Sequence, residues 1–222
     1  MKRSFINREI AAGIAFLEEM RIKLPPFAYW TPGEWETKGE AYKEIRDCML
    51  GWDITDFGTG DFEKTGLLVI TIRNGIKDSE EYVKTYAEKC LIVKENQVTP
   101  MHYHYHKMED IINRGGGNLM VKLYESTSDE ALSESPLRVK IDGYFREFEA
   151  GAVIRLLPGS SVTMHRRLYH SFWAEEGCGT VVVGEVSTVN DDKRDNRFLP
   201  ERGRFPAIEE DEPPIALLVS DY

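Results

Sequence analysis

The chain has 222 residues, 41% hydrophobic and 30% charged, and its 28 basic and 38 acidic side chains give a formal net charge of −10. That length can bury a sizeable core, and so acidic a surface has no electrostatic drive toward a nucleic-acid backbone, which leaves a small neutral or cationic ligand, or a metal, as the better fit. Three scattered cysteines with no CxxC pair, and no apolar stretch of about 18 residues, argue against a disulfide framework, a thiolate zinc site and a membrane-spanning helix.

The basic start MKRSFINREI has no apolar run behind it, so a signal peptide is not expected and a cytoplasmic location is. The same segment reads as a helix. Ile6, Ile10, Ile14 and Leu17 recur at spacings of three and four, with Asn7 as the cap and Pro25-Pro26 as the end. Phe27-Ala28-Tyr29-Trp30 and Trp35 form an aromatic arm, expected to pack over a core or a second copy rather than touch substrate.

From Leu67 the pattern changes to short β-rich runs over 67–73, 85–93, 98–105, 118–125, 137–141, 144–149, 152–156 and 180–188. Asp142-Gly143 between two alternating runs is a hairpin signal. Strands at about ten-residue spacing, with no helices alternating between them, predict an all-β sandwich or barrel. Residues 109–113 read as helix-like, and the acidic run 209–212 before Pro213-Pro214 reads as a solvated tail. A single domain over 1–222 is the economical division: a helical and loop extension over 1–65, a barrel over 66–190 and a C-terminal segment over 191–222.

Of the five histidines, three fall within 102–106 and two within 165–170. On a strand His102 and His104 project to one face, about 6.5–7 Å apart, so both can reach one ion. Glu109 lies five residues past His104, and its carboxylate returns to the pair if the chain reverses, which 109–113 and Gly115-Gly116-Gly117 make feasible. His170, within Tyr169-His170-Ser171-Phe172-Trp173 on a later strand, can supply a third imidazole from across a barrel. Three imidazoles and a carboxylate make a mixed nitrogen and oxygen site with up to two of six positions open. An HxH pair alone is common on ordinary strands; the combination carries the reading. His106, and His165 beside Arg166-Arg167, are set aside as non-ligands.

The HxH pair, Glu109, the glycines, Pro158-Gly159 and His170 together resemble the two-part signature of the cupin superfamily. Four residues separate His104 from Glu109, and His170 lies well beyond Pro158-Gly159, a slight departure from the commoner spacing. Glu88-Lys89, Thr99-Pro100-Met101-His102, the run from Glu109 to Asn118, Gly184-Glu185-Val186-Ser187, Asn190-Asp191-Asp192 and Gly203-Arg204-Phe205-Pro206 are similar to the D-lyxose isomerase family of cupin sugar isomerases, over about residues 86–213. The resemblance implies an all-β cupin jelly-roll β-barrel with an N-terminal helical and aromatic extension. It implies interconversion of D-lyxose and D-xylulose, with D-mannose and D-fructose as secondary substrates, and a homodimer acting on a free monosaccharide. It also implies a manganese cofactor, with cobalt or another divalent ion as a substitute, held by His102, His104, Glu109 and His170.

Aldose–ketose isomerisation by proton transfer through an enediol needs a base at C2 and an acid at the carbonyl oxygen. Glu185 interrupts the apolar run 180–188 on the side of Val181, Val183 and Ser187; burial is what turns a carboxylate into a base near neutrality. An exposed glutamate on an amphipathic strand has the same pattern. Lys89, next to Cys90-Leu91-Ile92-Val93, can polarise a sugar oxygen or act as the acid, or can snorkel at a strand edge. Glu201 is a second candidate base. Asp191, Asp192 and Lys107 are candidate substrate contacts, with Asp195 and Asn196 close behind. Two other readings use the same ligands: a cupin oxygenase with iron, and a non-catalytic sugar-binding cupin.

Overall fold

The computed structural model describes every residue except Lys193, Arg202, Arg204 and Phe205, so the family-like Arg204-Phe205 lies outside the described residues. The chain folds mostly as β-strands in two antiparallel sheets, preceded by a helix, as the sequence predicts. In chain order the strands are β1 (Gly51–Thr55), β2 (Leu67–Arg73), β3 (Tyr86–Val93), β4 (Thr99–His104), β5 (Glu109–Gly116), β6 (Leu119–Tyr124) and β7 (Leu137–Ile141). After them come β8 (Tyr144–Phe148), β9 (Val153–Leu156), β10 (Ser161–Met164), β11 (Tyr169–Ala174), β12 (Val181–Thr188) and β13 (Asn196–Phe198). The large sheet runs β1-β2-β3-β12-β5-β10-β7-β8 and the small one β13-β4-β11-β6-β9.

Alternation builds the core between the sheets. On β6 Leu119, Val121 and Leu123 are buried while Met120, Lys122 and Tyr124 are half-exposed, and on β7 Leu137, Val139 and Ile141 are buried between exposed Arg138 and Lys140. Their inward side chains join Val69, Leu91, Ile111, Val181, Val183 and Phe172 in one cluster. The hairpin of β7 and β8 turns at Asp142 and Gly143, whose φ values of 50° and 88° belong to the turn that matches strand twist.

Helix α1 (Arg3–Glu19) covers the outer face of the large sheet, where Ile6, Ile10 and Leu17 pack with Leu68, Ile70, Ile92 and Val182. Gly13 permits the approach: a Cβ there would lie 2.8 Å from both Ile92 Cδ1 and Leu68 Cδ2.

Several local expectations are overturned. Lys2, not Asn7, stands at the start of α1, and Asn7 is buried in its body. Its amide donates to Glu212 Oε1 at 2.6 Å and to the Pro213 carbonyl at 2.9 Å. The helix ends ahead of Pro25-Pro26, where Arg21 takes φ 60° and Arg21 and Ile22 donate to the carbonyls of Glu18 and Leu17, a Schellman closure. The acidic run is no free tail: Arg3 pairs with Glu210 at 2.6 Å and Asp221 at 3.0 Å, and Ser4 binds Asp211. The extension over 1–65 contributes β1 to the edge of the large sheet, and 109–113, read as helix-like, is strand β5 paired with β12 and β10. Trp30, Trp35, Tyr42 and Tyr222 pack on one another, away from the cavity described below. Among the described residues no helix is long and apolar enough to cross a membrane.

Candidate active site

One short crossing sets the geometry. β4 of the small sheet ends at His104, residues 105–108 carry the chain to the other sheet, and β5 opens at Glu109. Asp195 secures the crossing by accepting the backbone N–H groups of His106 at 2.7 Å and Lys107 at 2.9 Å. His102 and His104 share the inner face of β4, and on its neighbour β11 His170 sits in register with His102. The rings of His102 and His170 are 4.1 Å apart, and one nitrogen from each of the three buried histidines lies within 4.8 Å of the others.

Backbone carbonyls fix the tautomers. His102 Nδ1 is 2.7 Å from the Pro100 oxygen and His170 Nδ1 is 3.0 Å from the Leu168 oxygen. A carbonyl can only accept, so each Nδ1 carries the proton and each Nε2 presents its lone pair to the cluster. Glu109 faces them from the large sheet, with Oε1 3.3 Å from His104 Nε2 and 3.0 Å from His170 Nε2. These approaches are close but lack hydrogen-bond alignment: Glu109 Oε1 and His170 Nε2 are buried without a hydrogen-bond partner. Buried polar atoms left this way are costly unless something binds them together. Three imidazole nitrogens and a carboxylate oxygen are a donor set for a divalent transition ion, so the residues present fit a metal.

Electrostatics agree. Burial holds the His102 ring well below the ordinary histidine range, with His170 and His104 adding to it, and burial followed by Lys107 lowers that of His104. Both are therefore neutral, ligand-competent imidazoles at neutral pH. Burial pushes the Glu109 carboxyl up, but Lys107 and His104 outweigh it and hold the carboxyl well below the usual range. For Lys107 burial opposes the charge, and Glu109 and Glu185 outweigh it, so the ammonium stays charged well above the lysine range.

Beside the imidazoles runs a line of alternating charge. Lys107 Nζ lies 2.7 Å from Glu109 Oε2, 2.8 Å from Glu185 Oε1 and 3.4 Å from Asn190 Oδ1. Lys89, paired in register with Glu185 across β3 and β12, is 3.8 Å from Glu185 Oε1 and 3.5 Å from Asp192 Oδ2. Glu185 thus sits between two lysines, not in the apolar setting that its sequence neighbours suggest. The imidazoles and this line border one cavity, lined from both sheets.

Of the residues singled out in the sequence, His102, His104, His170, Glu109, Lys107, Glu185, Lys89, Asp192 and Asn196 line this cavity. Asp191 is exposed and does not, and exposed Glu201 lines an adjoining depression that shares Asn196 and Phe198 with the cavity. Asp195 holds the crossing instead. His106 and His165 lie outside the cluster, His165 against Glu125. Sequence reasoning missed Phe198, which stacks on His102 with ring centres 5.2 Å apart, and Phe57 beside it. A strand of three residues carries too little periodicity to reveal Phe198.

A family model described as D-lyxose isomerase matches residues 1–222. The chain is 47% identical over 223 aligned residues to D-lyxose/D-mannose isomerase of Serratia proteamaculans, covering 100% of this chain and 98% of that protein. It is 48% identical, at the same coverage, to the protein of that name from Escherichia coli O157:H7. Among solved structures, L-ribose isomerase of Cellulomonas parahominis with L-ribose aligns at a TM-score of 0.62 and 18% identity, covering 94% of this chain and 98% of that one. L-ribose isomerase of Acinetobacter sp. DL28 with L-ribose aligns at 0.62 and 15% identity with the same coverage. These two likenesses show a shared fold.

Proposed function

The chain belongs to the D-lyxose isomerase family and is an aldose–ketose isomerase, and from that premise we propose that it interconverts D-lyxose with D-xylulose, and D-mannose with D-fructose, as a metal-dependent enzyme. The observation that carries the reading is the convergence of three imidazole nitrogens and Glu109 beside the Lys107–Glu185 pair, in a cavity lined from both sheets.

His102, His104, His170 and Glu109 would hold the ion. A divalent ion such as manganese, or cobalt in its place, supplies Lewis-acid polarisation of adjacent sugar oxygens when bound. The chain's own groups do the rest. Glu185 Oε1 takes the C2 proton of the aldose to give an enediol, exchanges it with solvent, and delivers a proton to C1. Lys107 holds that carboxylate and Glu109 in fixed relation, so Glu185 need not reorganise during transfer. Lys89 gives a proton to O1 as the enediol forms and recovers one from the O2 hydroxyl as it collapses to the ketose, and Asp192 and Asn196 at the mouth receive hydroxyls. With Glu201 outside the cavity, Glu185 is the better-placed base.

We read 1–222 as one cytoplasmic functional unit acting on a free sugar. We also read it as a homodimer. Because the aromatic arm is occupied within the chain, exposed Tyr144 and Phe145 on edge strand β8 offer the more open apolar surface for a second copy.

The test is incubation of metal-loaded protein with a panel of free aldoses in heavy water. D-Xylulose from D-lyxose with deuterium at C1 is the expected result; oxygen consumption without ketose, or saturable sugar binding without ketose, would replace the reading with an oxygenase or a binding protein.

A further inference from the structure

From an unpartnered hydroxyl on the cavity wall we infer that Thr99 is a specificity-determining residue, which binds a sugar hydroxyl beyond the two reacting carbons. The inference rests on the proposed sugar substrate. Thr99 opens β4, is 2% exposed, and lines the cavity, yet its Oγ1 is buried with no hydrogen-bond partner. Among the described polar residues lining the cavity it alone has a side chain without a polar contact; the histidines, lysines, carboxylates and Asn196 are all engaged.

The backbone shows how the hydroxyl comes to face inward. His170 pairs with His102 but Phe172 pairs with Thr99, so β4 takes three steps where β11 takes two. That is a β-bulge at Pro100-Met101. On a regular strand a residue three positions from His102 would point to the opposite face; the extra residue returns Thr99 to the face of His102 and His104. The position is held firmly, since Ser171 Oγ donates to the Thr99 carbonyl at 2.8 Å.

The surroundings give the ligand class. Thr99 is paired with Phe172, which also lines the cavity, and stands at most about 10 Å along the strand from His102. With C1 and C2 at the imidazole end, a hydroxyl at C3, C4 or C5 lies toward Thr99, and its C–H faces meet the aromatic wall. A buried hydroxyl left unpaired is unfavourable and a bound polyol satisfies it, so the site discriminates against chains lacking that one hydroxyl.

The experiment is calorimetric binding of D-arabinitol, the unreactive reduced form of D-lyxose, and of its 3-, 4- and 5-deoxy analogues to manganese-loaded wild-type, Thr99→Val and Thr99→Ser proteins of matched metal content and melting temperature. Thr99→Val should bind D-arabinitol about tenfold more weakly and Thr99→Ser close to wild type. For one deoxy analogue, wild type and Thr99→Val should not differ. Equal affinity of wild type and Thr99→Val, or an equal loss for every analogue, overturns the inference, as does a wild type that binds no alditol. If the expected pattern appears but no aldose is isomerised, the proposed reaction fails and the hydroxyl subsite stands. If Thr99→Val does not fold, Thr99→Ser and the deoxy series decide: wild type indifferent to all three deletions overturns it.

Discussion

Lys107 Nζ and Glu185 Oε1 are 2.8 Å apart, both side chains buried, and the same ammonium reaches Glu109 at 2.7 Å. One lysine therefore joins the carboxylate that faces the imidazoles to the carboxylate proposed as base. Two like charges so near each other need the cation between them.

Glu185→Gln keeps the shape but removes the proton acceptor. The expected outcome is retained metal and a near wild-type melting temperature with kcat on D-lyxose reduced about 10²–10⁴-fold. Steady-state rates beside elemental analysis check it, and unchanged turnover would move the base role to another residue.

Lys107→Met removes the cation shared by two buried carboxylates, leaving Glu109 without an ammonium and Glu185 with Lys89 at 3.8 Å. Breaking such a network by removing one partner costs about 3–5 kcal/mol, which lowers the melting temperature of a chain this size by about 10 °C. Calorimetry of the metal-free protein reads this, and a variant as stable as wild type would show that water already neutralises the pair.

Gly13→Val places methyl groups where the ends of Ile92 and Leu68 already lie. Overpacking of this kind costs about 1–3 kcal/mol, so thermal unfolding should move down by several degrees, while activity per folded molecule stays the same because α1 lies on the far side of the sheet from the cavity. No fall in melting temperature would mean that α1 can lift off without loss.

The contact between α1 and the C-terminal segment is pH-dependent. The hydrogen bond from Arg3 lowers the Glu210 carboxyl below its ordinary range, and the hydrogen bonds from Ser4 do the same for Asp211. Groups that ionise at lower pH when folded stabilise fully above the ordinary carboxylate range, about pH 4–5, and lose that contribution as pH falls through their folded values. Glu210→Gln and Asp211→Asn should therefore lower the melting temperature at pH 7 and do so progressively less as pH falls below the ordinary carboxylate range; an effect of equal size at every pH would rule out the linkage.

Much of this was legible in the sequence because it follows period-two alternation. The run 67–73 is β2 and 137–141 is β7 to the residue, and the parity of His102 with His104 and of Glu185 with Val181 and Val183 holds in three dimensions. What was not legible depends on contacts distant in sequence or on a broken period. Glu109-Asp110-Ile111-Ile112-Asn113 has adjacent apolar residues that fit a helix turn as well as a strand, and only pairing with β12 and β10 decides. The acidic run 209–212 looks solvated until Arg3, Ser4 and Asn7 are set against it. Thr99 reads as outward-facing because a bulge between it and His102 cannot be seen from alternation alone.

The most direct test of the central claim is manganese titration of chelator-stripped wild-type, His102→Ala and His170→Ala proteins, followed at each point by ketose formation from D-lyxose. The account predicts one ion bound per chain in the wild type, activity rising in step with occupancy, and loss of both in each variant. Full activity in the stripped protein, or wild-type binding and turnover in either variant, would contradict it.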